Sequence, residues 1–221
     1  MNKLEILYED NHIIVVVKPF NVLSQSDVTN DNDMLSIIRK YIKRTYNKPG
    51  NVYLGLVHRL DRPTKGIMVF AKTSKAASRL SEQIRTNSMN KEYILVAHGI
   101  LKENGRMIDY LEKNNGFSSV VTTEEKGKYA ELEYEVIDVN YEYNLSLVKV
   151  KLITGRHHQI RVQFSSRGYP LFGDNRYGLK IDNGKQLCLI EKKLEFFHPT
   201  LKEKMSFEIE YDRNMEGFDK F

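Results

Sequence analysis

Tryptophan is absent from the 221 residues, proline occurs five times and cysteine once, at Cys188. A single cysteine excludes an internal disulfide and a cysteine-based zinc site. Long apolar runs are missing too. The run "IIVVV", Ile13 to Val17, is as long as any and far too short to span a bilayer, so no membrane association is expected. The opening "MNKLEILYED" carries Glu5 and Glu9 where an export signal would have an apolar core. A cytoplasmic location is the expectation. Nucleotide and metal motifs are also absent. There is no GxxxxGK[ST] or GxGxxG loop, no HExxH, no H-x-E…C-x-x-C and no GxSxG elbow, so no cofactor and no metal are expected. Nor is there a repeat, a low-complexity segment or a Pro/Gly-rich linker. Residues 1–221 therefore read as one domain, long enough for a real core.

What is present is an ordinary globular composition with a net charge of +5. That excess suits a partner bearing phosphates without requiring one. "LEILYED" and "HIIVVVKP" read as strands joined by an "EDN" turn. "DMLSIIRKYIKRTYN" predicts a helix capped by Asp33, with Leu35, Ile38 and Ile42 on one face. "VYLGLV" and "GIMVFAK" predict strands around a turn. "SKAASRLSEQIRT" predicts a second helix with Ser74 as N-cap. "KEYILVAHG", "AELEYEVIDV", "LSLVKVKL", "QLCLI", "LEFFHP" and "EKMSFEIEY" predict further strands. "HHQIRVQFSSRG" predicts a short helix closed by Gly168. The segments Lys40 to Lys48 and Lys102 to Lys128 read as excursions. The order implies an α+β fold: one domain on a large mixed, mainly antiparallel sheet, with flanking helices and a central cleft.

Three constellations could carry chemistry. In "HRLDR", Asp61 stands between Arg59 and Arg62 at a turn after a strand. Flanking arginines favour an ionised carboxylate and can clamp phosphates; a structural ion pair pinning the turn is the competing reading. In "TGRHHQIRVQF", Arg156 and Arg161 frame a helix start, where backbone N–H groups attract anions. His157 and His158 are adjacent and so diverge on a helix, which disfavours a shared metal. In "NKEYILV", Lys91 and Tyr93 face the same way on a strand. They read either as a surface lysine beside a half-buried tyrosine or as an aromatic ring able to stack on a base.

Taken together and in order, these elements resemble the RluA-type pseudouridine synthases. "HRLDRPTKG" is similar to that family's HRLDRxTSG signature and "TGRHHQIRVQF" to its GRTHQIRVHL element. "GYPLFGDNRYG" is similar to its GHPIxGDxxYG stretch. "ILYEDNHIIVVVKP", "KEYILVAHG" and "LEFFHPTLKEKMSFE" match its opening strands, its K-x-Y strand and its closing F-x-HP segment. The resemblance runs from Ile6 to about Tyr211. Lys65, His157 and Gln163 depart from the usual Ser, Thr and His. The chain reaches its first strand by Leu4, so the family's frequent N-terminal RNA-binding module is not expected.

The resemblance implies isomerisation of uridine to pseudouridine in rRNA or tRNA. Asp61 would be the catalytic carboxylate, attacking the sugar, attacking the detached base or taking a proton from the sugar; these three stay open. Arg161 would pair with Asp61 and hold it ionised. Tyr93 would lie against the base and help deprotonate the carbon of new attachment. Arg59 would fill the space left by the flipped nucleotide. Arg62, Lys65, Lys91 and Arg156 complete the expected RNA contacts, with RNA as partner and a monomer as the working state. Two other readings remain: an RNA-binding module without catalysis, and a glycoside-type hydrolase using the same carboxylate, although such enzymes usually need two.

Overall fold

An unbroken apolar run such as Ile13–Val17 cannot lie on a sheet with one wet face; it needs cover on both. The computed structural model, which describes residues 4–29, 31–114 and 118–221, supplies that cover. Every residue of strand β2 (Ile13–Lys18) is buried. The chain divides into two compact units. The first comprises Met1–Met89 and Lys193–Ile209, the second Asn90–Lys192 and Glu210–Phe221. The fold is α+β, with eleven strands and three α-helices among the described residues.

In the first unit, β1 (Glu5–Glu9) turns back on β2. The Asp10 carboxylate closes that turn by accepting the N–H of His12 at 2.7 Å and of Ile13 at 2.8 Å. Strand β4 (Lys65–Ala71) runs antiparallel to β2 from Ile13↔Ala71 to Lys18↔Gly66. Ile13, Val15, Ile67, Val69 and Ala71 share a core with Ala76 and Leu80 of helix α2 (Ser74–Arg85). Helix α1 (Met34–Thr45) buries Met34, Ile38 and Ile42, four residues apart, and Asp33 caps it as expected. Its basic residues ride the opposite side, so Lys40 to Thr45 belong to the helix and are no excursion.

Three further expectations change here. The cap of α2 is Thr73, whose side chain accepts from the Ala76 N–H, and Ser74 is already helical. Strand β3 is only Gly55–Leu56, not "VYLGLV". The ladder stops because the His58 ring, not a strand carbonyl, takes the next N–H, that of Val69, at 3.1 Å. "QLCLI" and "LEFFHP" form one strand, β10 (Leu189–Phe197). Its charged middle stays in the strand because Glu195 pairs with Lys193 at 3.4 Å and with Lys204 on β11 (Lys204–Glu208) at 3.2 Å.

The second unit is built on antiparallel strands in the order β5 (Asn90–His98), β9 (Leu145–Leu152), β8 (Lys128–Asn140), β6 (Gly105–Asn114), β7 (Ser118–Thr122). The polar stretch Lys102 to Lys128, expected as an excursion, thus supplies two strands. Only Met107 and Leu111 of β6 turn fully inward, and the polar residues between them mask the pattern. Helix α3 (Gln159–Ser165) sets Val162 against Leu111 and Ala130. It begins after both histidines. Gly168, at φ +80, follows its end, with the Tyr169 N–H returning to the Phe164 carbonyl at 3.0 Å. Among the described residues, no helix is long and apolar enough to cross a membrane.

Candidate active site

The Asp61 turn is pinned from beneath by buried polar groups of its own unit. The Thr64 N–H closes on the Asp61 carbonyl at 3.0 Å. Ser24 brackets Leu60, accepting its N–H at 3.1 Å and donating to its carbonyl at 2.8 Å. Lys18, the last residue of β2, is fully buried. Its ammonium donates to the carbonyls of Pro19 at 3.1 Å, Val22 at 2.7 Å and Arg62 at 3.0 Å. Burial pushes the Lys18 pKa down to about 7; the negative charge of Asp61 opposes that shift and Arg62 adds to it. Three carbonyl oxygens want three N–H donors, and an ammonium carries three on one atom. This buried lysine thus underlies the turn and, when protonated, acts electrostatically on Asp61. Asp61 itself is half-buried, Arg59 and Arg62 are exposed, and Lys65 is half-buried at the start of β4. Arg62 pairs with Asp31 at 2.8 Å, both side chains 46% exposed.

In the second unit, Arg161 is held on α3 by Asp174, a residue of the "GYPLFGDNRYG" stretch. Its Nε donates to one oxygen of Asp174 at 2.8 Å and a terminal nitrogen donates to the other at 2.7 Å. The Tyr177 ring lies under the guanidinium at 5.2 Å. Asp174 does cap as well, accepting the N–H of Arg176 at 2.9 Å and of Tyr177 at 3.1 Å. Burial pushes the Asp174 carboxyl up, but Arg161 and the two backbone N–H groups outweigh it and hold the group below the usual carboxylate range. A forked pair of this kind fixes the guanidinium plane.

The two histidines serve this unit's structure. His158 caps α3 from the left-handed region at φ 54. Its Nδ1 meets the Tyr177 hydroxyl at 2.8 Å. The His157 ring stacks on that of His158 at 3.8 Å, and its Nδ1 meets the Ser119 hydroxyl at 2.9 Å. Among the described residues, no group of three or more His, Cys, Asp or Glu could hold a metal ion. Gln163 donates to Asp109 at 2.7 Å, tying α3 to β6. Arg156 is exposed and its Nε donates to the Tyr129 carbonyl at 2.7 Å.

Tyr93 and Lys91 share a face of β5, as their spacing implies. Tyr93 is buried, and its hydroxyl donates to Glu191 of β10 at 2.6 Å. Glu191 is itself 0% exposed. Burial pushes its pKa up to about 7, against the pull of Lys91 and of the tyrosine hydrogen bond. Lys91 is half-buried and not a surface lysine; burial draws its pKa down while the charge of Glu191 works in the other direction.

Arg59, Asp61, Arg62 and Lys65 therefore lie in the first unit, and Lys91, Tyr93, Arg156 and Arg161 in the second. Sequence reasoning missed Lys18, Glu191 and the role of Asp174 as anchor of Arg161. Lys18 and Asp174 had a signal, since both stand in motifs already quoted. Glu191 had only its position at the end of the apolar run "LCLI", just ahead of two lysines.

Comparison with known proteins points one way. A family model described as "RNA pseudouridylate synthase" matches residues 12–166. An uncharacterized RNA pseudouridine synthase of Aquifex aeolicus is 35% identical over 94% of this chain and 69% of its own length. The ribosomal large subunit pseudouridine synthase C of Buchnera aphidicola is 34% identical over 89% of this chain and 64% of its own. The chain therefore spans about two thirds of these curated relatives. The structure of human RNA pseudouridylate synthase domain containing 4 superposes with a TM-score of 0.77 at 21% identity, covering 97% of this chain and 91% of the human one. That likeness speaks for the fold.

Proposed function

The chain belongs to the RNA pseudouridylate synthase family, and from that premise we propose that it isomerises uridine to pseudouridine in structured ribosomal or transfer RNA, with Asp61 as catalytic carboxylate. The observation that carries the proposal is the extent of the family match: residues 12–166 enclose Asp61, Tyr93 and Arg161. The uracil is detached from its sugar, turned, and rejoined through carbon 5. In this reading Asp61 reacts with the detached base or its sugar, Arg161 supplies the positive charge an ionised carboxylate requires, and Tyr93 faces the base and takes the proton from carbon 5. Arg59 occupies the gap left by the flipped nucleotide, while Arg62, Lys65, Lys91 and Arg156 meet the RNA. Residues 1–221 act as one catalytic domain, as a cytoplasmic monomer. The fixed Asp61 turn and the rigidly held Arg161 support this reading, because preorganised groups lose little on meeting a substrate.

Mapping pseudouridine in RNA from cells with and without the protein tests the activity and names its substrate. Asp61→Asn tests the mechanism, since it removes the charge at almost constant volume. The variant is expected to fold and to bind RNA while forming no pseudouridine. Product formed by a folded Asp61→Asn protein would overturn the role of Asp61. Release of free uracil by the wild type would point to hydrolysis instead.

A further inference from the structure

A carboxylate buried beside a catalytic hydroxyl asks for a reason. Glu191 is wholly buried, yet one of its oxygens, Oε1, has no hydrogen-bond partner among the described residues. The other accepts from the Tyr93 hydroxyl at 2.6 Å. An unsatisfied buried oxygen on an ionisable group is costly, and a structural role would be filled more cheaply by a neutral side chain. Such exceptions concentrate where protons are moved. The titratable groups facing Glu191 are Lys91 and Tyr93, both from β5; no others act on it among the described residues.

We propose that Glu191 is a positioning residue for Tyr93 that receives the phenolic proton, so that Tyr93 acts on carbon 5 as phenolate. This rests on the reading of Tyr93 given above. The step balances. The phenolic O–H breaks and its proton joins Glu191, passing the negative charge to the tyrosine oxygen. That oxygen then takes the proton from carbon 5 of the rejoined base. The C–H electron pair becomes the carbon 5–carbon 6 double bond, and the displaced imine pair returns to nitrogen 1, which gains a proton from water. Glu191 gives its proton back to the solvent, so the cycle is neutral overall. Lys91 supports the resting state by favouring the carboxylate over the carboxylic acid. The burial that raises the pKa of Glu191 to about 7 makes it a stronger base than an exposed glutamate.

The test is kinetic, with RNA purified from cells lacking this protein as substrate and pseudouridine formed as readout. Glu191→Gln keeps the shape and can still accept the tyrosine hydrogen bond, but takes no proton. A purely structural glutamate would survive that change. The expected result is kcat lowered roughly 10²-fold with KM unchanged. A larger isotope effect with deuterium at carbon 5 should accompany it. The wild-type kcat should rise with pH through a midpoint near neutrality, and this limb should vanish in the variant. If Glu191→Gln does not fold, the wild-type profile alone still decides: a kcat flat across neutral pH overturns the inference. An active wild type with unchanged kcat, isotope effect and pH profile in Glu191→Gln overturns the inference while leaving the proposed function intact. A wild type that forms no pseudouridine in any RNA overturns both.

Discussion

At the scale of the residue, two buried ionisable groups, Lys18 and Glu191, differ in kind in their energetics. Lys18 is fully satisfied: each ammonium hydrogen has a carbonyl. Replacing it by Met leaves three part-buried carbonyl oxygens without that donor, and a fully buried group of this kind would cost about 1–3 kcal/mol. Lys18→Met should therefore lower the denaturant midpoint markedly and lose activity in the folded fraction, because the Asp61 turn loses its clamp. A variant as stable and active as the wild type would show that the clamp does not matter. Glu191 is the reverse case. Its folded pKa stands at about 7 against an ordinary 4.5. Below about pH 4.5 it is neutral both folded and unfolded, and its contribution to stability is fully present. Between there and about 7 the unfolded chain ionises while the folded one keeps its proton, so stability falls as pH rises. Denaturant midpoints measured across that window should decline in the wild type and decline less in Glu191→Gln. Parallel curves would place the raised pKa in doubt.

At the scale of the element, the loop from Gly173 to Gly178 shows how backbone and site are joined. Gly173 sits at φ +74, and a side-chain carbon there would fall 2.1 Å from the Gln186 carbonyl oxygen. At Gly178 it would fall 2.2 Å from the carbonyl oxygen of Asp174, which already accepts the Gly178 N–H at 2.8 Å. Neither approach can be relieved by a rotamer change, since backbone blocks it. Gly178→Ala should therefore shift Asp174, loosen its grip on Arg161 and lower kcat along with the melting temperature. Asp174→Asn, which spares the backbone but weakens the forked pair, should lower kcat more than its stability loss explains; full activity in Asp174→Asn would remove Asp174 from the argument. These elements also show what was legible beforehand. The apolar runs of β2, β4 and β5 and the inward Ile38 and Ile42 of α1 could be read directly, because burial imposes those periods, whereas the third buried residue of α1 is Met34 and not the expected Leu35. The strands within 102–128 could not, because only Met107, Leu111 and the polar Ser119 among their positions turn fully inward. The continuity of β10 rests in part on pairing with β11, including the Glu195–Lys204 ion pair, and no local window contains that partner. Asp61, Tyr93 and Arg161 stand in recognisable motifs, whereas the Tyr93–Glu191 contact joins residues 98 positions apart. No spacing rule reaches across that interval.

For the whole molecule, a net charge of +5 is too small for charge alone to hold an RNA, so the placement of individual cations has to matter. In the first unit, Arg62 is committed to Asp31, yet both side chains are about half exposed at 46%. An exposed pair of this kind is worth about 0–1 kcal/mol, so a phosphate can take the place of Asp31 at little cost. That exchange gives a prediction which a fixed structural pair would not. Arg62→Gln should weaken RNA binding broadly across sequences and reduce the slope of log affinity against log salt by about one, the signature of one lost phosphate contact. Lys65→Gln should do the same, since Lys65 begins β4 just past the turn. Asp31→Asn should act oppositely: it releases Arg62 from a competing anion, so affinity should rise while the salt slope is kept. The three variants are read in one titration series against ribosomal and transfer RNA. If Arg62→Gln leaves the slope unchanged and Asp31→Asn leaves the affinity unchanged, Arg62 is a surface ion pair and the RNA runs elsewhere. If only the Asp31 variant is silent, Arg62 meets a phosphate without giving up its carboxylate.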